Sequence, residues 1–183
     1  NIKVIENEEN LFFFTNILKK IEHFIFFGTL IGIVRDKSLI EGDDDIDFYV
    51  NIKDKDKLLQ ILTDENINVD LTLPMNKSGY FIQVYRKING KTLTIDFYFY
   101  ETNIEKDYII ERWNLEGGTH IPSKYLKIPK NFIYPIKQTI FKGKQVSIPA
   151  KEELVCEFIY GKNWMIKMKK NDDYTIKVIN GLP

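Results

Sequence analysis

The sequence predicts an α/β (α+β) domain: a mixed β-sheet flanked by helices. Three observations predict it. Apolar residues recur at helical spacing near the start of the chain. Later runs, beginning at Asp44, alternate apolar and polar with the period of a strand. Asn89-Gly90 separates two such runs, the sequence signal of a tight hairpin. Strands interleaved with helices need a sheet whose faces the helices cover.

The elements follow in order. Residues 2–22 read as an amphipathic helix with Ile5, Phe12, Phe13, Ile17, Leu18 and Ile21 on its inner face. His23 to Phe27 is a short apolar strand, and after Gly28-Thr29 the run Leu30 to Arg35 begins a helix. Residues 37–43 form a polar loop. Asp44 to Asn51 is a strand with Ile46, Phe48 and Val50 on one face and Asp45, Asp47 and Tyr49 on the other. Residues 53–65 fit a helix with Leu58, Leu59, Ile61 and Leu62 inward. Residues 80–88 and 91–100 are the arms of the hairpin; Leu93, Ile95, Phe97 and Phe99 share one face of the second arm, with Thr92, Thr94, Asp96, Tyr98 and Tyr100 on the other. A helix is expected over 104–113, two strands around Lys142-Gly143, and a helix over 150–160 after Pro149.

Composition narrows the function classes. The 26 basic and 26 acidic residues cancel, which argues against a nucleic-acid-binding protein. Cys156 is the single cysteine, so no intrachain disulfide and no cysteine-rich zinc site can form. That points to a reducing compartment, and the expected location is cytoplasmic, compatible with a peripheral place at the membrane. No apolar run is long enough for a transmembrane segment. The chain begins at Asn1 and ends at Gly181-Leu182-Pro183; the expectation is a single domain over 1–183, excised from a longer chain in which a neighbouring domain is possible. His23 and His120 are isolated, His120 in an expected loop. Cys156 reads as core, Lys137 and Lys142 as solvated strand ends. For Trp164 and the run Met165–Lys170 the sequence leaves open closure over the domain or binding.

Chemistry concentrates between Phe26 and Val50. Four aspartates, Asp43, Asp44, Asp45 and Asp47, fall within five positions, and such crowding costs repulsion that a cation would remove. Residues two apart on a strand project from one face, so Asp45 and Asp47 present neighbouring carboxylates. Asp96 repeats the pattern between Ile95 and Phe97. If its strand is a neighbour, three carboxylates converge, and an oxygen-only ligand set suits Mg²⁺ or Mn²⁺ rather than zinc. Gly28-Thr29, at a strand-to-helix junction, allows close backbone approach and offers amide and hydroxyl donors to a phosphate.

These motifs together resemble the polymerase-β-like nucleotidyltransferase superfamily. Within it, GTLIGIVRDKSLIEGDDDIDFYV is similar to the LicD family, which includes fukutin and fukutin-related proteins. FIYPIKQTIFKGKQVSIPAKEELVCEFIYGKNW resembles that family's closing segment, so the likeness runs from about Phe26 to Trp164. The resemblance implies a nucleotidyltransferase fold and transfer of a phosphorylated alcohol (phosphocholine, ribitol phosphate or glycerol phosphate) from a CDP-linked donor to a sugar hydroxyl of a glycan such as a cell-surface polysaccharide. By the same resemblance Asp45 and Asp47 would hold Mg²⁺ or Mn²⁺, and Asp96 would complete the site or accept the proton of the attacking hydroxyl. Gly28 and Thr29 would hold donor phosphate, Arg35 would contact a phosphate or the acceptor, and Asp43 would reach a second metal or a water. The chain departs from the family pattern at Glu41-Gly42, where Pro-Trp is frequent, and at Asp36, where histidine is. Two alternatives stand beside this expectation: a nucleotidyltransferase acting on a small molecule or protein, and an inactive module that binds nucleotide or glycan.

Overall fold

The computed structural model describes residues 4–118 and 123–167. Strand β1 (His23–Ile25) pairs antiparallel with β2 (Asp45–Asn51), and β2 pairs parallel with β4 (Lys91–Thr102). The other edge of β4 is shared end to end by β3 (Phe81–Ile88) and β5 (Tyr108–Glu111), both antiparallel to it; β6 (Lys127–Pro129) follows β5. A separate hairpin comprises β7 (Lys137–Phe141) and β8 (Lys144–Ile148). The sheet is therefore mixed, as the sequence predicts.

One face of the sheet is apolar. Ile46, Phe48, Val50, Ile95 and Phe97 are fully buried on it. Helix α1 (Val4–Ile17) covers this face, with Phe14 against Phe97 at 6.1 Å between ring centroids. The helix is real, but its inner face differs from the expected one. Ile5 is 61% exposed and Phe12 and Phe13 are half-buried, while Leu11, Phe14, Asn7 and Asn10 are buried. Asn7 is buried because the start of α1 packs over the entrance to β2, where the carbonyls of Asp43 and Asp45 accept from its amide.

The opposite face carries the acidic residues and an aromatic layer. Phe26 stacks on Tyr49 at 3.8 Å, and Phe24 lies 5.5 Å from the same ring. Helix α2 (Phe27–Ile31) continues as a π-helical turn over Gly32–Asp36, so Gly28 and Thr29 fall in the first helical turn. Helices α3 (Lys55–Asp64) and α6 (Glu152–Tyr160) match expectation, with Leu58 and Leu62 buried from the first and Val155, Cys156 and Ile159 from the second. Short helices α4 (Pro74–Lys77) and α5 (Lys130–Ile133) complete the set.

Asn89 and Gly90 both have positive φ, 52° and 77°, and Ile88 pairs with Lys91. This is the two-residue turn that the dipeptide favours. The helix expected over 104–113 is absent. Ile104 is 97% exposed, and Tyr108–Glu111 is a strand between β4 and β6. Four residues carry too little pattern to declare themselves, and two available sheet edges override local propensity. Cys156 is core, and burial pushes its thiol up to about 12. Trp164 is buried and packs into the core. Lys137 pairs with Glu152 at 2.8 Å. His120 and residues 168–170 of the Met165–Lys170 run lie outside the described residues.

Candidate active site

Register builds the site. In the parallel β2–β4 ladder Asp47 stands opposite Asp96 and Asp45 opposite Thr94. Neighbours in register project from the same face, so Asp45, Asp47 and Asp96 converge. One carboxylate oxygen from each lies within 4.8 Å of the others, and Asp43, Asp44 and Asp45 form a second group that meets the same limit. Asp45 belongs to both. Asp47 and Asp96 are buried (6% and 7% exposed), whereas Asp44 is exposed.

Three buried or half-buried carboxylates at this spacing repel one another. Burial pushes Asp96 up to about 7; the Gln83 hydrogen bond opposes that rise, the charge of Asp45 adds to it, and a hydrogen bond with Asp47 opposes it. The donor set fits a hard divalent ion. Oxygens bound to Mg²⁺ at about 2.1 Å lie roughly 3–4 Å from one another, so these three need only small side-chain rotations to share one. No helix of the described residues is long and apolar enough to cross a membrane.

The surrounding residues hold the carboxylates in place. The Asp47 backbone N–H donates to Thr29 Oγ1 at 3.0 Å, which ties α2 to β2. Thr29 is 2% exposed, so its hydroxyl serves the strand first. A Cβ at Gly28 would lie 3.3 Å from Asp43 Oδ2, so glycine lets the acidic loop close against the helix. The Arg35 side chain is shielded from solvent, and its guanidinium meets the Asp36 carboxylate through Nε at 2.8 Å and Nη2 at 3.0 Å. Its Nη1 also reaches the carbonyls of Trp164 and Ile166, at 3.5 and 3.4 Å. Arg35 thus anchors the segment after α6, and Asp36 is its partner.

Two contributors escape a reading of the sequence. Gln83 Nε2 donates to Asp96 Oδ1 at 2.8 Å, and Tyr85 donates to Gln83 Oε1 at 2.8 Å. The signal for Gln83 was available: a two-residue turn at Asn89-Gly90 sets residue 83 opposite residue 96. Asn7 Nδ2 donates to the carbonyls of Asp43 and Asp45, at 3.3 and 3.2 Å; nothing local announces that contact. Glu111 is also fully buried, but its carboxylate accepts from the backbone N–H and side-chain amide of Asn114.

The domain description LicD/FKTN/FKRP, nucleotidyltransferase domain, matches residues 20–151. The chain belongs to this family. The matched span of this LicD-family chain contains Gly28, Thr29, Arg35, the aspartate run and Asp96, so the expected family membership is met. Among solved structures, the lincosamide antibiotic adenylyltransferase LnuA in its lincomycin-bound form aligns with a TM-score of 0.56 at 18% identity, covering 96% of this chain and 98% of that one. ANT(2″)-Ia in complex with adenylyl-2″-tobramycin aligns with a TM-score of 0.52 at 12% identity, covering 96% and 86%. At such identities the likeness establishes the fold, which is the nucleotidyltransferase-type mixed sheet the sequence predicts. A search of curated proteins finds no match.

Proposed function

We propose that this LicD-family domain is a metal-dependent phosphotransferase that moves a phosphorylated alcohol from a CDP-linked donor to a sugar hydroxyl of a glycan. The observation that carries the reading is the convergence of Asp45, Asp47 and Asp96 on one face, inside the span that matches the family. Asp45 and Asp47 would hold Mg²⁺ or Mn²⁺, and Asp43 with Asp44 would share a second ion with Asp45. The bound cation would neutralise charge on the transferring phosphoryl group.

The chain's own residues then divide the work. Asp96 completes the ligand set or takes the proton of the attacking hydroxyl. The first turn of α2 leaves the N–H groups of Gly28 and Thr29 without intrahelical acceptors, and these would bind donor phosphate while the Thr29 hydroxyl holds the strand. Arg35 would act by fixing the segment at Trp164 and Ile166. Transfer would take place where positioning and charge neutralisation do most of the catalytic work.

A second reading is nucleotidyl transfer to a small molecule, favoured by the aligned structures, one an antibiotic adenylyltransferase and one in complex with adenylyl-2″-tobramycin. The two differ in what leaves. Incubation with Mg²⁺ and labelled CDP-choline, CDP-ribitol or CDP-glycerol, and separately with ATP or CTP, distinguishes them. CMP release with the phosphoalcohol on a glycan supports phosphotransfer, and pyrophosphate release supports the second reading. Asp45→Asn and Asp47→Asn should each abolish turnover while the protein stays folded. Consumption of no donor by the wild type would sink both readings.

A further inference from the structure

We propose that the cavity between α1, the start of β1 and the β7–β8 hairpin binds a hydroxylated anion: a sugar or polyol bearing phosphate or carboxylate. The cavity measures about 530 Å³ and is lined by Thr15, Lys19, His23, Gln138, Gln145 and others. That volume lies in the range of small-molecule sites. A second hollow of about 320 Å³ shares Thr15, Lys19 and Gln145 with it and adds Lys144, so the two form one groove along α1.

This groove lies away from the carboxylates. His23 pairs in register with Val50, which faces the opposite side of β2 from Asp47, and the His23 ring packs on Phe48 at 5.9 Å. The two sites therefore occupy different faces of the sheet, and the inference stands apart from the phosphotransferase reading.

The chemistry of the floor points to hydroxyl groups. His23 Nδ1 lies 2.9 Å from the Ile21 carbonyl oxygen, which can only accept, so Nδ1 carries the hydrogen and Nε2 of the neutral ring is an acceptor. Burial lowers the His23 pKa and keeps the ring neutral, against the opposing hydrogen bond to Ile21. His23 is 6% exposed and Thr15 8%, yet His23 Nε2 and Thr15 Oγ1 have no hydrogen-bond partner. Buried polar atoms are nearly always paired; both residues line the cavity, and a small rotation of each side chain would present its closed-off atom to a ligand hydroxyl. Gln145 and Gln138, the latter donating to Ser147 Oγ at 2.6 Å, place further amide groups along the wall.

Charge selects the anion. Lys19 and Lys144 stand at the rim, exposed, and neither makes an ion pair among the described residues. The acid of this wall, Glu22, is already engaged: its Oε2 accepts from Asn51 and Tyr100 at 2.6 Å and from Tyr134 at 2.7 Å, and Lys53 Nζ, 3.4 Å from Oε1, offsets its charge. A ligand with both hydroxyls and a negative charge satisfies floor and rim together. A free sugar phosphate and a charged stretch of polysaccharide share that chemistry.

The test is titration of the whole chain in chelator, followed by amide NMR shifts. The probes are glucose 6-phosphate, a hyaluronan hexasaccharide, glucose and inorganic phosphate. At least one charged sugar should bind, shifting Thr15 and Gln145. Glucose and phosphate should bind at least about tenfold more weakly. Tighter binding of the hexasaccharide identifies a polymer segment, and tighter binding of glucose 6-phosphate a free sugar phosphate; either supports the site. Lys19→Met with Lys144→Met, both exposed positions, should weaken binding about tenfold, as should Thr15→Val. Asp47→Asn should leave it unchanged. Binding of neither charged sugar, equal binding of glucose, or loss in Asp47→Asn with retention in the lysine variant would overturn the proposal.

Discussion

Asp96→Asn should stabilise the metal-free protein, and by an amount that grows with pH. The carboxyl is 7% exposed, and its pKa rises from an ordinary 3.8 to about 7. Asparagine keeps the acceptor for Gln83 and places an amide donor toward Asp47, so it imitates the protonated acid. The sign follows from linkage: a carboxyl whose folded pKa is raised costs nothing below pH 3.8 and loses stability as pH rises through 7. At about 1.4 kcal/mol per pKa unit, the penalty on the wild type is on the order of 2 kcal/mol at pH 5 and 4 kcal/mol at pH 8. The step belongs to the three interacting carboxylates jointly, and replacing Asp96 removes it. Urea denaturation of both proteins in chelator, from pH 5 to 8, reads the difference directly. Glu111, also raised to about 7 by burial, titrates in both proteins and cancels. The variant's advantage should grow by about 2–3 kcal/mol across that range, and Mn²⁺ should stabilise the wild type more than the variant. A pH-independent difference, or a wild type that is the more stable at pH 8, would refute the reasoning.

Gly32→Ala would place a Cβ 2.7 Å from the Ser38 carbonyl oxygen and 3.3 Å from the Ile40 backbone nitrogen; it should destabilise by about 1–3 kcal/mol, visible as a lower urea midpoint. Asn7→Ala removes the amide that donates to the carbonyls of Asp43 and Asp45. It should cost about 1–2 kcal/mol and weaken Mn²⁺ binding in calorimetry, although Asn7 touches no carboxylate in these contacts. Gln83→Leu removes the donor to Asp96 and should move the Asp96 carboxyl titration, followed by carbon NMR in chelator, to higher pH; an unmoved titration would show that the bond does not favour the ionised form.

The sequence by itself determined the pieces whose signals are local. Asn89-Gly90 demands positive φ at two successive residues, and the hairpin follows with its register. Period-two alternation around Asp45, Asp47 and Asp96 set which face each carboxylate takes, and Gly28-Thr29 ahead of the aspartate run carried the family likeness. The tertiary structure decided what depends on distant partners. That β4 lies parallel beside β2, with Asp96 level with Asp47, is a pairing between segments that helices α3 and α4 and strand β3 separate in the chain. Helix α1 turns Asn7 inward because the carbonyls of Asp43 and Asp45 lie beneath it. Residues 108–111 became a strand because two edges were free, and Arg35 faces Asp36 because the segment after α6 folds back over it. Side-chain direction is a property of a few successive residues, whereas burial, pairing and the proton affinity of Asp96 are set by whatever lies across the fold.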